Sequence, residues 1–460
     1  MSHPVFAVCE TLCQNRHREQ QRPFPNDTIP PMTQSTPSVT GAAVPLTRMV
    51  AIALGNALEF YDFMIFSFFA VQIGHAFFPA ELGARGLLYT LATFGVGFFT
   101  RPLGGIVIGR YGDRRGRKPA MMWSFGLMGV AMLGMALTPS YASMGIAAPI
   151  LLLCFRLLQG FAVGGEVGPI TAYAAEAAPR DHRARYVSML QTGQGIAVLC
   201  SGLIGFSLAR LLSPVDLDAY GWRLALLLGV VIVPIGLLIR RRLPETLEKA
   251  MAQATHEPGG PSPWRVFFVG LMVVGAGTIA GYGLTYLSTY SQDTLKLGAQ
   301  LAFVTTIAQG LGYLSCAYAG GWLGDRLGHR RILLVTFALL LLLMLPAFVL
   351  INRWPTAATL FWVTALLSMI HITAIVCMSA FLVESLAPKV RSGTFAMTYA
   401  TGVALLGGTT QLVLKLLIDS TGSAYAPPWY IIAALAAGML ALTQLRGGAV
   451  DQPSMIRSAL

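Results

Sequence analysis

Residues 109–118 read GRYGDRRGRK, and residues 321–331 read GWLGDRLGHRR. Each stretch follows an apolar run of helix length, and the two stretches lie about 210 residues apart in the chain. A second match at nearly the same offset pairs two sets of residues: Glu176, Pro179 and Arg183 with Glu384, Pro388 and Arg391. Two matched motifs at one offset indicate that the chain consists of two duplicated halves with one architecture.

The composition places these halves in a membrane. The 460 residues are 55% hydrophobic and only 11% charged, with a mean hydropathy of +0.64, whereas soluble domains carry roughly 25% charged residues. A helix that crosses a bilayer needs ~20 mostly apolar residues. The apolar runs have helix length and do not alternate with polar residues, which excludes a closed barrel. The sequence therefore predicts an all-α membrane protein.

Twelve such spans can be read along the chain. They fall near residues 49–77, 86–109, 119–138, 145–177, 187–212, 222–240, 266–290, 299–323, 331–351, 357–383, 393–418 and 428–446. The longest polar stretch between spans separates six of them from the other six. We therefore expect an N-terminal bundle over 47–240, a cytoplasmic linker at 241–265, a C-terminal bundle over 266–446 and a short tail at 447–460.

The termini can be oriented from the basic residues. The formal net charge is +12, but the Lys and Arg side chains lie in short loops between spans, which argues against a nucleic-acid partner. On one side of the predicted membrane the loops offer little more than Arg85, Lys296 and Arg353. The opposite set of loops holds sixteen basic residues: Arg110, Arg114, Arg115, Arg117, Lys118, Arg180, Arg183, Arg185, Arg240 to Arg242, Arg326, Arg330, Arg331, Lys389 and Arg391. The positive-inside rule places these loops and both termini in the cytoplasm.

Residues 1–46 are polar and proline-rich without a signal-peptide core, which predicts a disordered cytoplasmic tail.

The loop motif at 109–118 and its copy at 321–331 resemble the loop signature of the Major Facilitator Superfamily, and RLLQG at 156–160 is similar to its second motif. GNALEFYDF at 55–63 and RPLG at 101–104 resemble the metabolite–proton symporter family, and within it carriers of citrate and tricarballylate. The resemblance implies twelve helices in two pseudo-symmetric six-helix bundles and a rocker-switch symporter with a central cavity. It also implies a monomer in the lipid bilayer of the bacterial inner membrane, driven by the proton gradient, with no cofactor.

Two carboxylates in span 1 are candidates for carrying the proton. An ionisable side chain in mid-span costs ~2.5–3.5 kcal/mol, so it is tolerated where it faces a cavity, pairs or has a function. Glu59 and Asp62 lie three residues apart on neighbouring faces. The alternative is a structural ion pair with Arg101 or Arg156. Asn56, one turn before Glu59, is a candidate for binding the substrate.

Span 4 offers a candidate for binding the substrate. Arg156 lies near mid-span with Gln159 one turn later, and a guanidinium stays charged and binds carboxylates through a planar fork. Its anionic partner is either a substrate carboxylate or a carboxylate of the protein, such as Glu59, Asp62 or Glu166. For Arg101 in span 2 we favour pairing within a gate over substrate contact.

Four more residues are candidates for the substrate cavity, each with a structural alternative. Gln191 and Gln194 share one face of span 5 and could bind a carboxylate or a neighbouring helix. Tyr286 belongs to a tyrosine stripe in span 7 that could instead be packing. His371 near the middle of span 10 could handle substrate or protons, or bond to a neighbouring helix.

The loop motifs are expected to control the conformation. Acidic residues beside arginines at helix ends can pair with neighbouring helix ends, and such a latch shifts the population between inward- and outward-facing states. The predicted gating residues are Arg101, Asp113, Arg114, Arg117, Asp325, Arg326, Glu176, Arg183, Glu384 and Arg391.

The leading functional hypothesis is proton-coupled uptake of a small organic acid such as citrate or a related di- or tricarboxylate. A proton symporter of a zwitterion such as betaine or proline is the alternative, and a membrane receptor or enzyme is a remote one. The sequence has no metal-ligand spacing, no arrangement of nucleophile and base, and no phosphate loop, so we expect neither a metal site nor an enzyme.

Overall fold

The computed structural model describes residues 56–57, 60–177, 183–241, 263–386 and 391–444, and these ranges contain helices and turns without a strand. The predicted tails at 1–46 and 447–460, residues 242–262 of the linker, and Glu59 lie outside the described residues.

Twelve helical elements, α1 to α12, follow one another along these ranges. Their bounds are Phe60–Phe68 with Ala70–Phe77 (α1), Ala84–Phe99 with Arg101–Arg115 (α2), Arg117–Leu137 (α3), Ala147–Ala177 (α4), Arg183–Leu211 (α5), Trp222–Arg241 (α6), Pro263–Asp293 (α7), Ala299–Leu327 (α8), His329–Arg353 (α9), Ala357–Glu384 (α10), Arg391–Gly402 with Thr410–Thr421 (α11) and Ala426–Thr443 (α12).

The number of spans agrees with the sequence prediction. Eleven helices are long and apolar enough to cross a membrane, and the bent pair in α1 makes twelve if it is one span. The ends of the described helices lie within a few residues of the predicted ends, except that α2 extends to Arg115. Residues 263–265, which we assigned to the linker, form the first turn of α7.

Three of the spans are interrupted. The two parts of α1 meet at an angle of 68°. Helix α2 is interrupted at Thr100, because Pro102 has no N–H to continue the backbone hydrogen-bond ladder. Helix α11 contains a π-turn at Val403–Gly407. Such breaks often accompany functional sites in membrane helices, where irregular backbone lines a cavity.

The duplication is visible in the backbone of the two motif loops. Gly116, between α2 and α3, has φ of 103°, and Gly328, between α8 and α9, has φ of 90°. Each glycine caps the start of the next helix in a conformation that L side chains rarely adopt. These loops carry many of the basic residues, and we call their side of the bundle the basic end.

Two of the helix pairs that pack across the halves are related by a shift of six spans. Helix α5 packs along α8, the most extensive contact among the described helices, and α11 packs along α2. Glycines allow close approach in both pairs: a Cβ on Gly202 would lie 2.9 Å from the nitrogen of Ile307, and one on Gly95 would lie 2.8 Å from the oxygen of Gly408. The site described next lies beside the second of these contacts.

Candidate functional site

A close crossing of α2 and α4 positions the buried arginines. Gly97 leaves room for Arg156, since a Cβ there would lie 3.1 Å from the Arg156 Cγ. The hydroxyl of Thr100, at the break in α2, donates to the carbonyl of Leu157 at 2.8 Å. The break and the crossing therefore bring Arg101 of α2 and Arg156 of α4 into one region of the first half.

Arg156 is connected to Asp62 through an amide. Its Nη1 donates to Oε1 of Gln159, and Nε2 of Gln159 donates to Oδ2 of Asp62. All three side chains are only 1% exposed. In the described structure no direct ion pair joins Arg156 and Asp62, because the neutral amide lies between the two charged groups.

The same three side chains leave hydrogen-bonding atoms unused. Nε and Nη2 of Arg156 and Oδ1 of Asp62 are buried without a hydrogen-bond partner among the described residues. Leaving a buried donor unsatisfied costs about 1–3 kcal/mol, and more for a charged group. Nε and Nη2 form one edge of the guanidinium, the edge that binds both oxygens of a carboxylate in a fork. This donor set fits a carboxylate ligand.

Aromatic rings surround the guanidinium of Arg156. Its Cζ lies 4.2 Å from the ring centroid of Phe66, 4.8 Å from that of Phe63 and 4.9 Å from that of Phe94. Contacts of this kind stabilise a cation by roughly 0.5–2 kcal/mol when water is excluded. The rings hold the charge in place without using its hydrogen-bond donors.

Arg101 shares this environment. Its guanidinium lies 4.2 Å from the ring centroid of Phe98 and 5.0 Å from that of Phe63, and its Nε has no hydrogen-bond partner among the described residues. We expected Arg101 to pair within a gate. The structure instead places it over aromatic rings beside Arg156, and its gating role stays a prediction.

The second half contributes Tyr282 to the same cluster. Its ring lies 5.5 Å from Phe98, 6.0 Å from Phe94 and 6.2 Å from Phe63. We call these four phenylalanine and tyrosine rings together with Phe66 the aromatic cluster. The tyrosine stripe of span 7 consists of Tyr282, Tyr286 and Tyr290. Only Tyr286 was predicted to line the cavity, although Tyr282 lies closer to the middle of α7.

Tyr286 does not reach the arginines. Its side chain is fully buried next to Tyr290, with 6.4 Å between ring centroids, and its hydroxyl is without a hydrogen-bond partner in the described chain. Tyr290 bonds to Asn352 at 2.9 Å. The predicted cavity role of Tyr286 stays a prediction.

His371 belongs to a hydrogen-bond chain within the second half. Its Nε2 lies 3.0 Å from the carbonyl of Gly277, which can only accept, so Nε2 carries the proton and Nδ1 accepts from the Tyr313 hydroxyl at 2.9 Å. Gln309 donates to Tyr313 at 3.3 Å and to Thr285 at 3.2 Å. Both ring nitrogens of His371 are thus used by neighbouring helices, which was the structural alternative for this residue.

The remaining predicted substrate residues lie around α5. Asn56 donates from Nδ2 to the carbonyl of Leu190 at 2.6 Å, so its amide joins α1 to α5. Gln191 and Gln194 are half-buried on α5. The structure thus brings Asp62, Arg156 and Gln159 together and places these three amides elsewhere in the same half.

Two of the predicted gating residues meet at the basic end. Nδ1 of His329 lies 2.9 Å from Oε2 of Glu384, and Nε2 lies 3.4 Å from Oδ1 of Asp325. His329, which sequence analysis did not select, therefore links α8, α9 and α10. Arg326 lies over the ring of Trp322 at 4.2 Å. The side chains of the other gating residues lie outside the described structure: Asp113, Arg114, Arg117, Glu176, Arg183 and Arg391.

At the opposite end, polar side chains bond across the two halves. Gln72 of α1 donates to Gln292 of α7 at 2.8 Å, and Gln411 of α11 donates to Ser67 of α1 at 2.7 Å. Nearby, Lys415 lies 2.7 Å from both Asp293 and Asp419. The two amide bonds therefore join the halves at this end.

Comparisons with known proteins agree with this architecture. A family model described as Major Facilitator Superfamily matches residues 52–411. A citrate-proton symporter of Salmonella typhi is 33% identical over 430 residues, which cover 90% of this chain and 96% of the relative. A putative proline/betaine transporter of Staphylococcus haemolyticus (strain JCSC1435) is 30% identical over 404 residues, which cover 86% of each chain.

Among solved structures, the xylose transporter XylE from E. coli in a partially occluded inward open conformation is similar to this chain. The TM-score is 0.70 at 14% sequence identity, and the match covers 87% of this chain and 97% of that chain. At this level of identity the likeness shows the fold alone.

The all-α membrane fold, predicted from the apolar runs, is therefore confirmed, with eleven described helices long enough to cross a bilayer, or twelve if the bent pair in α1 is one span. The relatives are bacterial transporters and the described helices are long enough to cross a bilayer, so the protein is a multi-pass protein of the bacterial inner membrane. The chain belongs to the Major Facilitator Superfamily.

Proposed function

We propose that this protein takes up citrate or a related di- or tricarboxylate together with protons, by alternating access. The observation that carries the proposal is the unpaired Nε–Nη2 edge of Arg156, buried beside Asp62. The relative named as a citrate-proton symporter, which matches almost the full length of both chains, supports the same substrate class. We accordingly assign this protein as a transporter and not as an enzyme.

The anion is held first by charge and geometry. One carboxylate of the substrate binds the free edge of Arg156 through two parallel N–H···O bonds, and Nε of Arg101 offers a donor to a second carboxylate. The aromatic cluster excludes water, and hydrogen bonds to charged groups are stronger in such a low-dielectric site. Two guanidiniums match an acid that has at least two carboxylates.

The position of Asp62 couples the binding of a proton to the binding of the substrate. A substrate carboxylate bound to Arg156 lies close to Asp62, which is linked to the same arginine through one amide. Two carboxylates in one low-dielectric site repel each other unless one of them is protonated. Substrate and proton therefore favour each other's binding, and this reciprocal coupling is what symport requires. Glu59, three residues before Asp62, is the other candidate proton carrier.

Alternating access uses the contacts between the halves. The bonds from Gln72 to Gln292 and from Gln411 to Ser67 join the two halves at the end opposite the basic loops. An outward-facing state requires these bonds to break while the halves rock about the α5–α8 and α2–α11 contacts. The acidic and basic loop residues, including Asp325 and Glu384, then hold the cytoplasmic end.

The test is uptake by purified protein in liposomes. With an inward proton gradient, radiolabelled citrate should accumulate, and a protonophore should abolish the accumulation. Unlabelled tricarballylate, which has three carboxylates and no hydroxyl, should compete, and glycine betaine should not. Citrate accumulation that persists with the protonophore would contradict proton coupling, and no citrate uptake under any gradient would contradict the substrate class.

A zwitterion such as betaine or proline is the second candidate, favoured by the aromatic cluster and by the 30% identical relative. Aromatic rings bind quaternary ammonium groups. Here, however, Phe63, Phe66 and Phe98 already lie against guanidiniums, which would repel an ammonium. Arg156→Ala separates the two candidates, since an anion carrier should lose far more affinity than a carrier of a neutral zwitterion.

A further inference from the structure

We propose that Gln159 is the residue that keeps the proton site and the substrate site apart, so that both can be occupied together. This inference rests on the proposed function and concerns how the site of that function is kept open. Gln159 lies one turn after Arg156 and was a candidate for binding the substrate, but its position in the structure assigns it a role other than substrate contact.

The amide of Gln159 uses its two ends in opposite directions. Its oxygen accepts from Nη1 of Arg156 and its nitrogen donates to Oδ2 of Asp62. The side chain is fully buried, so water does not compete for these bonds. A neutral group thus occupies the position at which a direct arginine–aspartate pair would otherwise form.

Such a direct pair would close the site. An arginine and a carboxylate in a buried site form a bidentate fork, and a substrate carboxylate would then have to displace Asp62. The atoms left unused with Gln159 in place are the ones the substrate and the proton need: the Nε–Nη2 edge of Arg156 and Oδ1 of Asp62. Gln159 is therefore a positioning residue, since it acts on the substrate through Arg156.

Removing the amide should make Asp62 a competitor of the substrate. In Gln159→Met, which keeps the length and burial of the side chain, Arg156 and ionised Asp62 are free to pair directly. Citrate affinity should then fall roughly 10- to 100-fold, the range expected for one or two hydrogen bonds between charged groups. The loss should be large at high pH, where Asp62 is ionised, and small at low pH, where it is protonated.

The decisive experiment is a double-mutant comparison of citrate Kd, measured by equilibrium binding to purified protein. Wild type, Gln159→Met, Asp62→Asn and the double variant are compared at two pH values. Without a carboxylate at position 62 nothing competes for Arg156, so the double variant should bind citrate nearly as well as Asp62→Asn alone. A double variant that loses as much affinity as Gln159→Met does in the wild-type background would overturn the inference, because Gln159 would then contact the substrate directly.

The controls separate this inference from the proposed function and from misfolding. Ser201→Ala removes another buried polar group, a hydroxyl that bonds only to the carbonyl of Ala197 on its own helix at 2.7 Å, and should leave the citrate Kd and its pH dependence unchanged. Gln159→Ala serves as a second variant if Gln159→Met has an altered melting temperature. Absence of citrate binding by wild type would overturn the proposed function and this inference with it, whereas normal wild-type binding with an equal loss in both backgrounds would overturn this inference alone.

Discussion

Arg156→Lys tests the carboxylate fork most sharply, because it keeps the positive charge and removes the planar edge. Lysine presents a single point of charge, so at least one of the two N–H···O bonds from Nε and Nη2 is lost. A hydrogen bond between charged groups contributes about 1.5–3 kcal/mol. At 1.4 kcal/mol per factor of ten, the KM for citrate should rise roughly 10- to 150-fold.

The assay is initial-rate uptake of labelled citrate into liposomes under a fixed proton gradient. Arg353→Lys is the matched control, since Arg353 is exposed and lies over Trp354, away from the arginine site; its KM should equal that of wild type. An unchanged KM in Arg156→Lys would refute the fork. An equal rise in both variants would show that the effect does not arise at the site.

Further predictions concern the proton carrier, the turn at Gly116 and the contact between the halves. Asp62→Asn should keep citrate counterflow and lose accumulation driven by a pH gradient; wild-type accumulation would contradict its role as carrier. Gly116→Ala, at φ of 103°, should lower the free energy of unfolding by about 1–3 kcal/mol, whereas Gly126→Ala, with open space around it, should change it little; equal melting temperatures for the two variants would refute the strain. Gln72→Cys and Gln292→Cys are combined in a chain otherwise free of cysteine, and the two thiols are cross-linked by a short, reducible reagent. The cross-link should stop transport until it is reduced; transport by fully cross-linked protein would show that this contact need not open.

The fold could be predicted from the sequence because its signals are local. Apolar runs set the helices, and the copies at 109–118 and 321–331 set the duplication. The equivalent turns at Gly116 and Gly328 show the same duplication in the backbone. Of the interruptions, that at Thr100 has a visible cause in Pro102, whereas the bend in α1 has no proline at its break and no comparable signal in the sequence.

The site could be predicted only in part, because a buried charge is visible in a sequence and its neighbours are not. Asp62, Arg156 and Gln159 stood out as polar residues in apolar spans. The rings around the arginines did not, since phenylalanine in a membrane helix packs against lipid or protein equally well. Tyr282 was missed for the same reason, because the rotation of α7 decides which tyrosine of the stripe faces the first half. His329 was missed because it lies within a basic loop motif.

Proton movement that accompanies citrate transport is the most direct measure of whether citrate and protons cross the membrane together. Liposomes that contain the protein and an internal pH dye are given citrate outside, with no gradient imposed beforehand. We expect that the interior becomes more acidic on addition of citrate, that glycine betaine has no such effect, and that Arg156→Ala abolishes the signal. Acidification by betaine but not by citrate, or an unchanged citrate signal in Arg156→Ala, would contradict this expectation.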